Sequence, residues 1–112
     1  MKLLEKHIET QILLYLRARG IFAWKNPTAG YFDPKIKRFR KQVSPFAING
    51  TSDIMAIHLG KFMAIEVKSA TGKVSPAQKE FLEKVGKAGG IPIVARCLED
   101  VANILELEVD EC

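Results

Sequence analysis

Two cysteines, two histidines and one tryptophan in 112 residues exclude several kinds of protein before any motif is considered. Cys97 and Cys112 make neither a disulfide framework nor a metal-knuckle spacing. So little cysteine fits a reducing, cytosolic setting, with Cys97 expected as a small buried apolar residue. His7 and His58 have no ligand spacing; His7 is expected at the surface and His58 in a strand. No uncharged run approaches the ~18 residues needed to span a bilayer. Met1 to Leu4 leads straight into Glu5, Lys6 and His7 without the apolar region of a signal peptide, so no membrane association is expected. No glycine-rich phosphate cradle or nucleophile constellation is present, which argues against a small-molecule enzyme and against an organic cofactor. Internal repeats and low-complexity stretches are also missing.

Hydrophobic residues make up 47% and charged residues 27% of the chain, an ordinary balance for a globular protein. Its length suits one domain over residues 1–112 with one core. The formal charge of +4 is unevenly placed. From Lys25 to Gln42, six bases (Lys25, Lys35, Lys37, Arg38, Arg40 and Lys41) face one acid, Asp33, for a local +5 against −1 elsewhere. Leu98 to Cys112 carries six acids and no base. A local basic patch of this kind is the footprint expected for a phosphate backbone.

Leu4, Ile8, Ile12, Tyr15 and Leu16 recur at helical steps, which predicts an amphipathic helix over about Leu3 to Arg19, ended by Gly20. Ile21 to Trp24 reads as a short strand, Asn26 to Gly30 as a loop, and Tyr31 to Ile48 as a basic insertion with a ragged hairpin. Ser52 to Leu59 and Lys61 to Lys68 are apolar-rich runs joined at Gly60, a strand hairpin. Ser75-Pro76 opens a helix whose apolar face holds Phe81, Leu82 and Val85, and Gly89-Gly90 stops it. Ile91 to Ala95 reads as a buried strand and Leu98 to Leu107 as a last helix. The expected fold is α/β: a central mixed β-sheet flanked by helices.

The chemistry gathers at Gly50-Thr51-Ser52-Asp53-Ile54 and, thirteen residues beyond the aspartate, Ile65-Glu66-Val67-Lys68. Residues i and i+2 of a strand share a face, so Glu66 and Lys68 project together. The hairpin can return Asp53 to the side of Glu66. Two carboxylates and an ammonium in one pocket suit phosphodiester hydrolysis. Acidic oxygens hold a hard divalent cation such as magnesium, which activates water and polarises the phosphoryl oxygen, while the lysine handles the nucleophile or the developing charge. An ion pair on a solvated face is the plainer alternative. The apolar residues on either side argue against it, because charge buried there is costly without a partner.

These two motifs resemble the core of the PD-(D/E)XK nuclease superfamily, the restriction-endonuclease-like fold. Ser75-Pro76-Ala77-Gln78-Lys79-Glu80-Phe81-Leu82 is similar to the helix of the virus-type replication-repair nuclease (VRR-NUC) family. Gly-Gly-Ile-Pro-Ile-Val and the basic segment also resemble archaeal Holliday-junction resolvases. The resemblance runs from Glu5 to about Ala95, with Ser52 where the superfamily often has proline. It implies that Asp53 and Glu66 bind metal with help from the Val67 carbonyl. It also implies that Lys68 works on the nucleophile, that Gln78 orients the pocket, and that magnesium, or manganese in its place, is the cofactor. It calls for a glutamate on the first helix as well. Glu5 and Glu9 lie one turn apart and share a face, and helix geometry does not separate them. The resolvase-like distance to Gly20 selects Glu9 as the metal and catalytic residue.

DNA is the expected partner. Lys25, Lys35, Lys37, Arg38, Arg40 and Lys41, interleaved with Tyr31, Phe32 and Phe39, suit a phosphate track with stacking contacts. Thr28 and Gly30 can add donors to a phosphate. The activity expected is a metal-dependent DNA endonuclease selective for junction-like structure. One site per short chain cannot cut two strands symmetrically, so a homodimer is expected. The alternative is a nucleic-acid-binding module of a replication or repair assembly without catalysis. The intact Asp53, Glu66, Lys68 and Gln78 speak against it.

Overall fold

A computed structural model describes residues 4–26, 31–33, 35, 38–40, 46 and 48–110. The order is α1 (Glu5–Ala18), β1 (Phe22–Lys25), β2 (Tyr31–Asp33), β3 (Arg38–Arg40), β4 (Ile54–His58), β5 (Lys61–Val67), α2 (Pro76–Lys87), β6 (Ile91–Ala95) and α3 (Leu98–Asp110). Four strands form one mixed sheet in the order β1-β4-β5-β6. β1, β4 and β5 are antiparallel, while β6 runs parallel to β5, because α2 carries the chain back across the sheet. β2 and β3 pair separately, Phe32 opposite Phe39, so the basic insertion does contain a hairpin.

Strand and helix periods decide the core. Ile8, Ile12 and Leu16 recur every fourth residue and are buried, as are Val101 and Leu105 of α3. They pack with the alternating residues Ile54, Ala56, Met63, Ile65, Ile93 and Ala95 on one face of the sheet. Phe62, Ala64 and Glu66 have the opposite parity and take the other face, on the side of α2. There Phe62 shares a groove with Phe81 and Val85. β5 is interior to the sheet, and Met63 to Val67 are all buried. The motif Ile65-Glu66-Val67 therefore lies where solvent is excluded.

Local signals set the joints. After α1, Gly20 N–H donates to the Arg17 carbonyl and Ile21 N–H to that of Leu16, both at 2.9 Å. This is a Schellman pair that ends the helix and buries Ile21 beside Leu16. β4 and β5 are joined by Leu59 and Gly60 alone, since His58 pairs with Lys61. Both have positive φ, 52° and 77°, the backbone of a type I′ turn, and leucine is strained there. Ser75 caps α2 with Pro76 behind it, as its sequence indicated. Cys97 is half-buried, not buried as expected. His7 is exposed and His58 lies in β4. No described helix is long and apolar enough to cross a membrane.

Candidate active site

The hairpin brings Asp53 and the end of β5 together. Ile54 pairs with Ile65, so Asp53, just before β4, reaches the last residues of β5, where its Oδ2 accepts from Val67 N–H at 2.9 Å. The loop carrying Asp53 is fixed from both sides. Asn26 N–H donates to the Asp53 carbonyl at 2.8 Å and Asn26 Nδ2 to Thr51 Oγ1 at 2.8 Å. Gly50 meets the start of α2 so closely that a Cβ would sit 2.4 Å from the Ala77 carbonyl carbon. Only glycine permits this approach. Ser52 is fully buried, and its hydroxyl has no partner among the described residues.

Glu66 is the chemical centre, with only 2% of its surface exposed. Its Oε1 accepts from Gln78 Nε2 at 2.8 Å and lies 3.8 Å from Lys68 Nζ; its Oε2 is buried without a partner. Burial, and after it the neighbouring Asp53 carboxylate, raise its pKa from 4.5 to about 8. Lys68 opposes this, and Glu5 adds to it. Two close carboxylates in a dry site resist joint ionisation.

Gln78 does two jobs. Its Oε1 accepts from Ser75 N–H at 2.9 Å while Ser75 Oγ accepts from Gln78 N–H, a capping box. With Oε1 committed to the cap, Nε2 is aimed at Glu66. The spacing Ser75-x-x-Gln78 is the sequence signal for this arrangement.

The two glutamates of α1 have different neighbours. Glu9 is ion-paired with Lys25 at 3.1 Å, so a residue expected at the metal and one expected on DNA engage each other. Glu5 Oε1 instead accepts from Ser69 N–H at 3.2 Å, beside Lys68, and its charge reaches Glu66. Sequence reasoning missed Arg96, whose Nη1 donates to the carbonyls of Ser69 and Gly72; no motif marks it. Among the described residues no group of three His, Cys, Asp or Glu side chains is clustered tightly enough to hold a metal ion.

Of the basic residues, Lys35 is exposed, and Arg38 and Arg40 lie on β3 across from Asp33 and Tyr31. Thr28, Gly30, Lys37 and Lys41 lie outside the described residues.

The model of the VRR-NUC domain matches residues 6–98. No curated protein matches the chain. A solved VRR_NUC domain protein is similar over 95% of this chain and 88% of its own, with a TM-score of 0.65 and 22% identity. At that identity the likeness speaks for the fold, a helix-flanked mixed sheet consistent with the restriction-endonuclease-like arrangement. The family match extends from α1 into the start of α3 and takes in Asp53, Glu66, Lys68 and Gln78, so the chain belongs to the VRR-NUC domain family and has a nuclease-type function.

Proposed function

We propose that the chain is a divalent-metal-dependent DNA endonuclease, with magnesium as its ion and manganese able to replace it. The observation that carries this reading is Glu66: a buried carboxylate beside Asp53, with one oxygen held by Gln78 and the other unpartnered. A buried carboxylate beside a half-buried one fits a cation, and an all-oxygen donor set fits a hard one. Asp53, Glu66 and the Val67 carbonyl would hold it, with water completing the shell as is usual for magnesium. Such an ion supplies Lewis-acid polarisation of the phosphate and acidifies water.

The protein's own groups do the rest. Gln78 fixes Glu66 Oε1 and leaves Oε2 free. Lys68, its side chain 14% exposed, is dry enough to act strongly yet open enough to meet water. It orients the attacking water or neutralises charge as the phosphate oxygen develops it. Glu5 supplies the helix acid in place of Glu9, because its charge bears on Glu66 while Glu9 is tied to Lys25. The basic hairpin tracks the DNA backbone, and a homodimer presents two sites with the symmetry of a four-way junction.

Asp53→Ala and Glu66→Ala should each lose cleavage while still retaining DNA. Undiminished cleavage by either variant contradicts the assignment, and a wild type that binds without cutting favours the binding-module reading. Light scattering should give twice the chain mass of 12.5 kDa. A monomeric mass removes the symmetric-resolvase part alone.

A further inference from the structure

We propose that Arg96 is a positioning residue of the active site: its guanidinium fastens the segment after Lys68 and thereby fixes Glu5 and Lys68. This inference rests on the nuclease reading above. The parallel ladder places Val67 beside Ala95, and Lys68 N–H donates to the Ala95 carbonyl at 2.9 Å. Arg96 therefore emerges next to Lys68, at the edge of the site. Arg96 Nη1 donates to the Ser69 carbonyl at 2.6 Å and to the Gly72 carbonyl at 2.7 Å, closing residues 69–72 into a tight loop. Its own N–H is held by Asp100 Oδ2 at 2.8 Å, which anchors it to the first turn of α3.

Among the described residues the guanidinium forms no ion pair, so its charge is directed at these two carbonyl oxygens. Bonds from a charged donor are the strong ones. The loop in turn holds the helix acid, since Ser69 N–H donates to Glu5 Oε1. Gly72 closes over the same carboxylate: a Cβ there would lie 3.3 Å from Glu5 Oε1 and 3.2 Å from Ser69 Oγ. A loop packed this closely cannot drift without moving Glu5, and Lys68 is its immediate neighbour in the chain. Arg96 thus acts on the site through Ser69 and Gly72, not by touching the phosphate.

Arg96→Met keeps most of the side-chain length and removes the donors; Arg96→Lys keeps a charged donor. Amide exchange of the metal-free proteins reads the clamp without reference to activity. Single-turnover cleavage of a labelled DNA, with magnesium saturating, reads its effect on the site. In Arg96→Met the amides of Ser69 and Gly72 should exchange at least about tenfold faster, while those of β5 stay as in the wild type. Its cleavage rate should fall on the order of 100-fold, as displacements near 1 Å produce, with DNA affinity within about twofold. Arg96→Lys should recover most of both. Unchanged exchange at residues 69–72, an unchanged cleavage rate, or a loss that appears only with faster exchange throughout β5 would overturn the proposal. A wild type that cuts no DNA, with Arg96→Met still loosening residues 69–72, would overturn the nuclease reading and leave the clamp standing.

Discussion

Replacing Glu66 with glutamine isolates the electrostatic tension of the site. In the folded, metal-free protein Glu66 holds its proton up to about pH 8, whereas an ordinary glutamate loses it near 4.5. Between those values the folded state binds the extra proton. Stability therefore falls as pH rises from about 4.5 to about 8, and levels off above. Were Glu66 to titrate alone, that interval would be worth about 5 kcal/mol. Its side chain is only 3% exposed, so solvent screens little of this. Neighbouring charges contribute part of that figure, and we expect roughly half. Glutamine can still accept from Gln78 Nε2 and, like the protonated acid, brings no charge into the buried site. Urea denaturation in chelator should therefore show Glu66→Gln equal to wild type near pH 4.5 and about 2–3 kcal/mol more stable at pH 9. Magnesium binding to wild type at pH 7 should release about 0.9 proton, measurable by titration calorimetry in buffers of different ionisation enthalpy. Parallel pH profiles for the two proteins would refute the reasoning, because the titrating group would then lie elsewhere.

The α1 acids can be separated directly. Glu5→Gln should lower the cleavage rate by at least about tenfold, a loss of roughly 1.4 kcal/mol of transition-state stabilisation, whereas Glu9→Gln, which only frees Lys25, should stay within about threefold of wild type by single-turnover kinetics. Alanine at Lys37, Arg38, Arg40 and Lys41 should weaken binding to all DNA sequences alike and flatten the salt dependence by up to about 0.9 per lost phosphate contact, measured by fluorescence anisotropy across a salt series. Leu59→Asn in the β4–β5 turn should stabilise the protein by about 1 kcal/mol without altering cleavage, since asparagine tolerates positive φ; a lower midpoint in thermal unfolding would contradict the strain assigned to Leu59.

The central pair was legible in the sequence because strand geometry has a fixed period. Glu66 and Lys68 share a face by parity, and a hairpin turning at Gly60 leaves little freedom in where Asp53 lands. The capping spacing at Ser75 and Gln78 likewise pointed to a helix start, although only the structure shows the same glutamine reaching Glu66. The partners of the two α1 acids were not legible. At about 100° per residue Glu5 and Glu9 share a face. What distinguishes them is the Ser69 amide and the Lys25 ammonium, neither of which is near them in sequence. Arg96 was hidden for a related reason. It binds backbone carbonyls, which every residue offers, so no residue pattern announces the contact. Long-range partners chosen by backbone position leave no mark on the side chains they use.

The most direct test of the account is cleavage itself. Pure protein is incubated with end-labelled linear duplex, flap and four-way-junction DNA, in magnesium, in manganese and in chelator. The account predicts internal cuts with either ion, fastest on the junction, and none in chelator. Undiminished cutting in chelator, or no cutting of any substrate with either ion while the DNA is bound, would contradict it.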